Sequence, residues 1–287
     1  MPEMPEVESL RQFLTQRCVG HAIAQVDLAA ISALKTYDPP FAALQGLVVD
    51  GVHRYGKFLA LDCGGLWLVF HLARAGWLRW REELPTTPPR PGRGPLALRV
   101  TLDDRSGFEL TEAGTQRKLA VHVVTDPQQV AHIATLGPDP LDDDFTPEVL
   151  GAILAKAGRA QLKGILRDQR LIAGIGNAYS DEILHTARLS PYQPANALAA
   201  EAVADLHATM RAELTEAIRR AEGLAAKDLK GEKKSGMKVH GRTGLPCPVC
   251  GDTVREVSFA DSAMQYCPTC QTKGKPLADR RMSRLLK

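Results

Sequence analysis

The chain has 287 residues and a mass of 31.2 kDa, with 44% hydrophobic and 24% charged residues. That length fits two domains with an appendage, and the composition excludes wholesale disorder, a collagen-like repeat and a disulfide scaffold. The net charge of +3 conceals a gradient: from Lys227 to Lys287 thirteen Lys and Arg face six Asp and Glu, whereas 23 basic residues meet 27 acidic ones elsewhere. A basic end on a mildly acidic body suggests a polyanionic partner, set against a solvated lysine face as the commoner origin of such a run.

The opening Met1-Pro2-Glu3-Met4-Pro5-Glu6 is acidic and proline-rich, the opposite of a secretory signal. No apolar stretch approaches the roughly 20 residues a bilayer crossing requires. No membrane association is therefore expected, and the expected location is the cytoplasm. Apolar residues at Val7, Leu10, Phe13 and Leu14 predict an amphipathic helix over 5–18, with Pro5 in its first turn. From about 21 to 126 the pattern turns to strands. Leu47–His53, Lys57–Asp62, Leu66–Leu72, Ala97–Leu102 and Leu119–Thr125 are short, rich in Val and Leu, and punctuated by turns such as Gly64-Gly65 and Asp103–Gly107. Such spacing predicts an antiparallel sandwich or barrel.

Leu136–Leu141 reads as a linker, and helices follow. Thr146 and Pro147 form an N-cap and first turn, with the helix ending near Gly158. Further helices are predicted over Arg159–Ile172, Tyr179–Ala187 and Ala197–Glu222, and Lys227–Gly236 reads as a mobile loop. Cys18 and Cys63 are isolated, which predicts buried free thiols.

The other four cysteines form Cys247-Pro248-Val249-Cys250 and, sixteen residues later, Cys267-Pro268-Thr269-Cys270. Two such knuckles match one tetrahedral, structural zinc with four thiolate ligands and no open position, against a redox pair or two disulfides. Zinc would hold together a segment too small to bury its own core. The Ala173-Gly174-Ile175-Gly176-Asn177 turn between helices could offer backbone N–H groups to a phosphate, although such turns more often simply connect. At the N-terminus, excision of Met1 would leave Pro2 with a free secondary amine. An α-amine titrates near ~7.7–8.0 against ~10.4 for lysine, so about a tenth is unprotonated at pH 7. Such an amine can attack an electrophilic carbon, with Glu3 and Glu6 beside it to move protons; otherwise Glu6 simply caps the helix.

Taken together, Met1–Glu8, Tyr55-Gly56-Lys57-Phe58-Leu59, Asp168–Glu182 and the paired cysteines resemble, in this order, the formamidopyrimidine-DNA glycosylase / endonuclease VIII family of base-excision repair. The resemblance spans essentially the whole chain. It implies a multi-domain α+β fold: an antiparallel β-sandwich catalytic domain with an N-terminal helix (1–132), a helix–two-turn–helix DNA-binding domain (133–238), and a zinc-finger β-hairpin with a basic tail (239–287). It also implies a monomeric, nucleoid-associated bifunctional glycosylase and AP lyase acting on damaged DNA. Pro2 would form an iminium with C1′, Glu3 would be the principal acid/base with Glu6 in support, and Lys57 would bind phosphate beside the reaction. DNA contacts would come from Lys57, Arg74, Arg117, Lys163, Gly176, Asn177 and position 262, and zinc from Cys247, Cys250, Cys267 and Cys270.

Three positions depart from the family pattern. An arginine five residues before the third cysteine is replaced by Ser262. The segment 111–119 lacks an aromatic wedge, although its Arg117 could reach a phosphate. A void-filling methionine is replaced by Arg74 in His71-Leu72-Ala73-Arg74. These changes predict a substrate that needs no wedge: single-stranded, distorted or bulky damaged DNA, with the tail Arg280–Arg284 supplying phosphate contacts. No base-reading residue is apparent in 221–238. The alternatives are a non-catalytic or lyase-only damage-binding protein on the same scaffold, or an RNA-binding module, for which the N-terminal Pro-Glu has no use.

Overall fold

The computed structural model describes residues 2–92, 94–114, 116–259 and 263–278. Ser262 and the Arg280–Arg284 tail therefore lie outside the described residues. The chain divides into two compact units, one of residues 1–136 with 221–230, the other of 137–220 with 231–287.

In the first unit, α1 (Met4–Cys18) precedes eight strands: β1 (Ile23–Leu28), β2 (Gly51–Tyr55), β3 (Phe58–Cys63), β4 (Leu66–His71), β5 (Gly76–Arg81), β6 (Leu96–Leu102), β7 (Gly107–Glu112) and β8 (Ala120–Val124). They form two antiparallel four-stranded sheets, ordered β1-β6-β7-β5 and β2-β3-β4-β8. The expected sandwich is present. Alternation puts Leu59, Leu61, Leu68 and Phe70 of one sheet and Leu98, Val100, Phe108 and Leu110 of the other into a single core. Phe70 and Phe108 meet with ring centroids 5.9 Å apart. Helix α1 adds Val7, Leu10 and Leu14 to this core, each such side chain stabilising by about 1.5–3 kcal/mol on burial. The short α2 (Ala131–Ala134) covers the other face of the second sheet, where Ile133 packs with Ala60, Val69 and Val124. Cys18 and Cys63 are buried free thiols, as expected, and burial pushes each up to about 12.

The second unit holds α3 (Pro147–Ala157), α4 (Leu162–Arg167), α5 (Asn177–Thr186) and most of α6 (Ala200–Ala221). Thr146 accepts a hydrogen bond from the Val149 N–H and caps α3 as its sequence indicates. The helix expected over 159–172 is shorter, because the chain turns at Asp168 to begin the glycine loop. The segment 227–236, expected as a loop, instead contains α7 (Leu229–Ser235). Leu229 is buried in the first unit's core, and Glu232 pairs with Arg220 at 2.9 Å. Tertiary contacts thus override a weak local preference. The zinc module carries the hairpin β9 (Arg255–Ser258) and β10 (Ala263–Tyr266), then α8 (Pro268–Thr272). No helix among the described residues is long and apolar enough to cross a membrane.

Candidate active site

The N-terminal residues are built into the protein. Pro2, Glu3 and Glu6 are all buried, and the Glu3 backbone N–H donates to Glu6 Oε2 at 2.8 Å. That bond satisfies one free N–H at the start of α1 and fixes the backbone next to Pro2. The positive end of the helix favours carboxylates at this place. One turn on, Glu8 accepts from Arg11 at 2.9 Å and from Arg54 at 2.8 Å. Burial acts to raise the Glu8 carboxyl, but the two guanidinium groups outweigh it and hold it below the usual range. Arg54 therefore ties α1 to β2.

The same arginine reaches the Gly56 carbonyl at 3.4 Å, at the turn between β2 and β3. Gly56 has φ +56°, a conformation that costs a side-chain-bearing residue about 1–2 kcal/mol. The next residue, Lys57, is buried. Phe58 pairs with His71 across the sheet, with ring centroids 4.7 Å apart. Burial pushes the His71 imidazole down to about 4, with help from the positive charges of Lys57, His132 and His122. A neutral histidine therefore lies near the buried lysine at pH 7.

Arg74 and Arg117 lie on separate loops, both exposed. Arg74 follows Ala73, which takes φ +53° and donates its N–H to His71 Nδ1 at 3.2 Å. Arg117 Nη2 reaches the Gly94 carbonyl at 3.0 Å. Its loop is anchored by Glu112, whose buried carboxylate accepts the Lys118 and Leu119 N–H groups at 2.8 and 3.0 Å.

In the second unit, the glycine turn is shaped by a residue that sequence reasoning passed over. Gln169 Oε1 accepts the Gly174 N–H at 2.9 Å, and its Nε2 donates to the Ile175 carbonyl at 2.6 Å. Gly174 takes φ +85°, and Gly176 is the N-cap of α5. The first residue of that helix, Asn177, donates from Nδ2 to the Ala263 carbonyl of β10 at 2.7 Å, while its buried Oδ1 has no partner among the described residues.

Lys163 is not a surface cation. It is buried, and its ammonium donates to Asp181 Oδ1 at 2.5 Å, Ser180 Oγ at 2.9 Å and the Asn177 carbonyl at 3.1 Å. A buried ammonium is tolerable only when paired and hydrogen-bonded in this way. Asp181 also meets His240 Nδ1 at 2.8 Å. Next to it, Glu182 accepts the backbone N–H groups of Lys238, Val239 and His240 at 2.7, 3.0 and 2.7 Å. Burial raises the Glu182 carboxyl against the opposing pull of these three donors. Helix α5 is thereby fixed both to α4 and to the segment 238–240 that leads into the zinc module.

The zinc module gathers its thiols. Cys250 and Cys267 have Sγ atoms 3.3 Å apart, and Cys247 and Cys270 are 3.9 Å apart. Sulfur atoms on one tetrahedral zinc lie about 3.8 Å from each other for Zn–S near 2.3 Å, so the donor set and its spacing fit one structural zinc ion. His185 joins this group: its Nε2 is 3.3 Å from Cys247 Sγ. Its position, 62 residues before Cys247, offers no sequence signal of that meeting.

Residues 1–134 match the formamidopyrimidine-DNA glycosylase N-terminal domain, 136–228 its H2TH domain, and 244–273 the zinc finger found in FPG and IleRS. The formamidopyrimidine-DNA glycosylase of Symbiobacterium thermophilum is 37% identical, over 98% of this chain and 93% of its own. The chain belongs to the formamidopyrimidine-DNA glycosylase family. A crystal structure of the MutM (Fpg) protein from Thermus thermophilus superposes with a TM-score of 0.79 at 31% identity, covering 96% of this chain and all of that one. The Lactococcus lactis enzyme, bound non-covalently to DNA containing an AP site, gives 0.80 at 26% identity, over 94% of this chain and 99% of that one. A shorter Mycobacterium tuberculosis protein, an uncharacterized formamidopyrimidine-DNA glycosylase-like protein, is 60% identical over 152 residues, 53% of this chain and 94% of its own.

Proposed function

We propose that this protein is a bifunctional DNA glycosylase and AP lyase of base excision repair. The carrying observation is the fixed N-terminus, in which Pro2 and Glu3 are buried at the head of α1 and Glu6 holds the Glu3 backbone. A free N-terminal proline amine is both a nucleophile and, once bonded to carbon, an electron sink.

In this reading the Pro2 nitrogen forms a bond to C1′ of a nucleotide extruded from the stack, and the glycosidic bond breaks with its electrons and a proton leaving on the base. Glu3 delivers a proton to O4′ as the C1′–O4′ bond opens, giving the iminium. Loss of a C2′ proton then expels the 3′ phosphate, a second elimination expels the 5′ phosphate, and water hydrolyses the iminium to free the amine. Glu6 keeps Glu3 in place, and the buried Lys57 ammonium, held beside neutral His71, binds phosphate near the reacting sugar. The N–H groups at Gly176 and Asn177 bind a second phosphate at the start of α5, with Lys163 positioning that helix from below. The structural zinc takes no part in these steps; Cys247, Cys250, Cys267 and Cys270 hold it, and it orders the hairpin. Exposed Arg74 and Arg117, in place of apolar and aromatic wedges, favour damaged DNA that is already single-stranded or distorted.

Pro2→Gly and Glu3→Gln test the assignment on a panel of lesion-bearing oligonucleotides, single- and double-stranded. Strand nicking should fall by at least about 100-fold for Glu3→Gln, while binding to an abasic analogue stays within about threefold. A wild-type protein that binds damaged DNA but releases no base and cuts no abasic strand would assign a non-catalytic role instead.

A further inference from the structure

The zinc module brings five donors to four coordination positions. Besides the four thiols, His185 on the last turn of α5 is buried, and its ring nitrogen lies within 4.8 Å of the sulfur atoms of Cys247, Cys267 and Cys270, all four ligand atoms being mutually that close. The fourth cysteine differs from these: Cys250 is exposed, whereas Cys247, Cys267 and His185 are buried. Two donors on one tetrahedral zinc, a nitrogen at about 2.0 Å and a sulfur at about 2.3 Å, lie about 3.5 Å apart. The 3.3 Å between His185 Nε2 and Cys247 Sγ therefore suits either an N–H···S bond or shared coordination of the same ion.

The second ring nitrogen, Nδ1, is buried without a hydrogen-bond partner among the described residues, whichever nitrogen carries the proton, so the choice between the two states is made at Nε2. With four thiolates on the metal, a proton on Nε2 points at the Cys247 sulfur, where it offsets part of the negative charge that four thiolates leave around a dication. If the Cys250 thiolate is removed, Nε2 can take the vacated position, with its proton moved to Nδ1. A histidine ligand is then a better occupant than an empty position.

We propose that His185 is a fifth donor to this metal centre: it hydrogen-bonds the Cys247 thiolate while four cysteines hold the ion, and it replaces Cys250 when that exposed thiolate is lost. The metal then stays joined to α5, the helix that begins at Asn177, even after damage to its outermost ligand.

The test uses the full chain. Purified Cys250→Ala should retain one zinc per chain after dialysis. Its cobalt-substituted form should show the absorption of a three-sulfur, one-nitrogen tetrahedral site, with weaker thiolate charge transfer than wild type. Cys250→Ala/His185→Phe should bind zinc at least about 10-fold more weakly than Cys250→Ala, the range seen when groups supporting a metal site are removed. Equal zinc affinity in the single and double variants, or a cobalt spectrum of Cys250→Ala that His185→Phe does not alter, would overturn the proposal. So would failure of Cys250→Ala to fold with zinc present. His185→Phe alone, with all four cysteines in place, provides a second reading: zinc transfer to a competing chelator should speed up by about 10- to 100-fold, and an unchanged rate would count against the fifth donor.

Discussion

Replacing Lys163 with methionine separates two roles that a lysine near the proposed phosphate-binding turn can have. Its ammonium bonds Asp181, Ser180 and the Asn177 carbonyl, and the side chains of Lys163 and Asp181 are 6% and 0% exposed. Lys163→Met would leave a fully buried carboxylate short of its cation, which costs about 3–5 kcal/mol. Lys163→Met/Asp181→Leu should recover a large part of that loss, because no uncompensated charge remains. DNA affinity should fall as the start of α5 loosens. The slope of log affinity against log salt should nevertheless stay as in wild type, because no phosphate-bound cation has been removed. A lysine bound directly to phosphate would instead take about 0.9 off that slope. Urea unfolding and anisotropy titrations of an abasic-analogue duplex at several salt concentrations measure both quantities. A stability loss under about 1 kcal/mol together with a slope lower by about 0.9 would refute the positioning role and restore Lys163 as a DNA contact.

Other expectations test the scaffold around the site. His71 titrates near 4 when folded against 6.5 ordinarily, so the unfolded chain binds more protons between these values. Its contribution is fully present above pH 6.5 and is lost as pH falls towards 4, amounting to at most about 3 kcal/mol. His71→Phe should flatten that stretch of the stability–pH curve, and an unchanged curve would refute the assignment. Arg99 donates to Glu109 at 2.8 Å and to the Pro85 and Thr87 carbonyls. Arg99→Leu should cost about 3–5 kcal/mol in urea unfolding, with Arg99→Leu/Glu109→Leu recovering much of it. A Cβ at Gly137 would collide with the Leu171 backbone beside the Gln169 loop. Gly137→Ala should cost about 1–3 kcal/mol and weaken DNA binding, and unchanged stability and affinity would show that the loop yields without consequence.

The proposed catalytic end was legible because its chemistry is local. Pro2, Glu3 and Glu6 fall within five consecutive residues at the start of α1, and the Cys-x-x-Cys pairs announce themselves by spacing alone. Strands with apolar alternation, such as Leu66–His71, were likewise visible. Strand β7 lacks that alternation, because it buries Glu109, Thr111 and Glu112 along with its apolar residues. Those carboxylates are tolerated through Arg99 and two backbone N–H groups supplied by other parts of the chain. The inward-facing Lys163, the Gln169 staple and His185 at the thiols were hidden for the same reason. Each is defined by a partner that only the fold brings near. Helix α7 was missed because its stability comes from burying Leu229 and pairing Glu232 with Arg220, not from its own lysine-rich sequence.

The central claim is that the amine of Pro2 becomes covalently bonded to the sugar of a damaged nucleotide. Borohydride reduction of the purified protein with abasic DNA, after intact-mass measurement has shown that Met1 is absent, tests it directly. The account predicts a stable one-to-one protein–DNA adduct whose peptide mapping places the link on Pro2 and which Pro2→Gly diminishes. Protein that lacks Met1, binds the abasic strand and yields no adduct would contradict it.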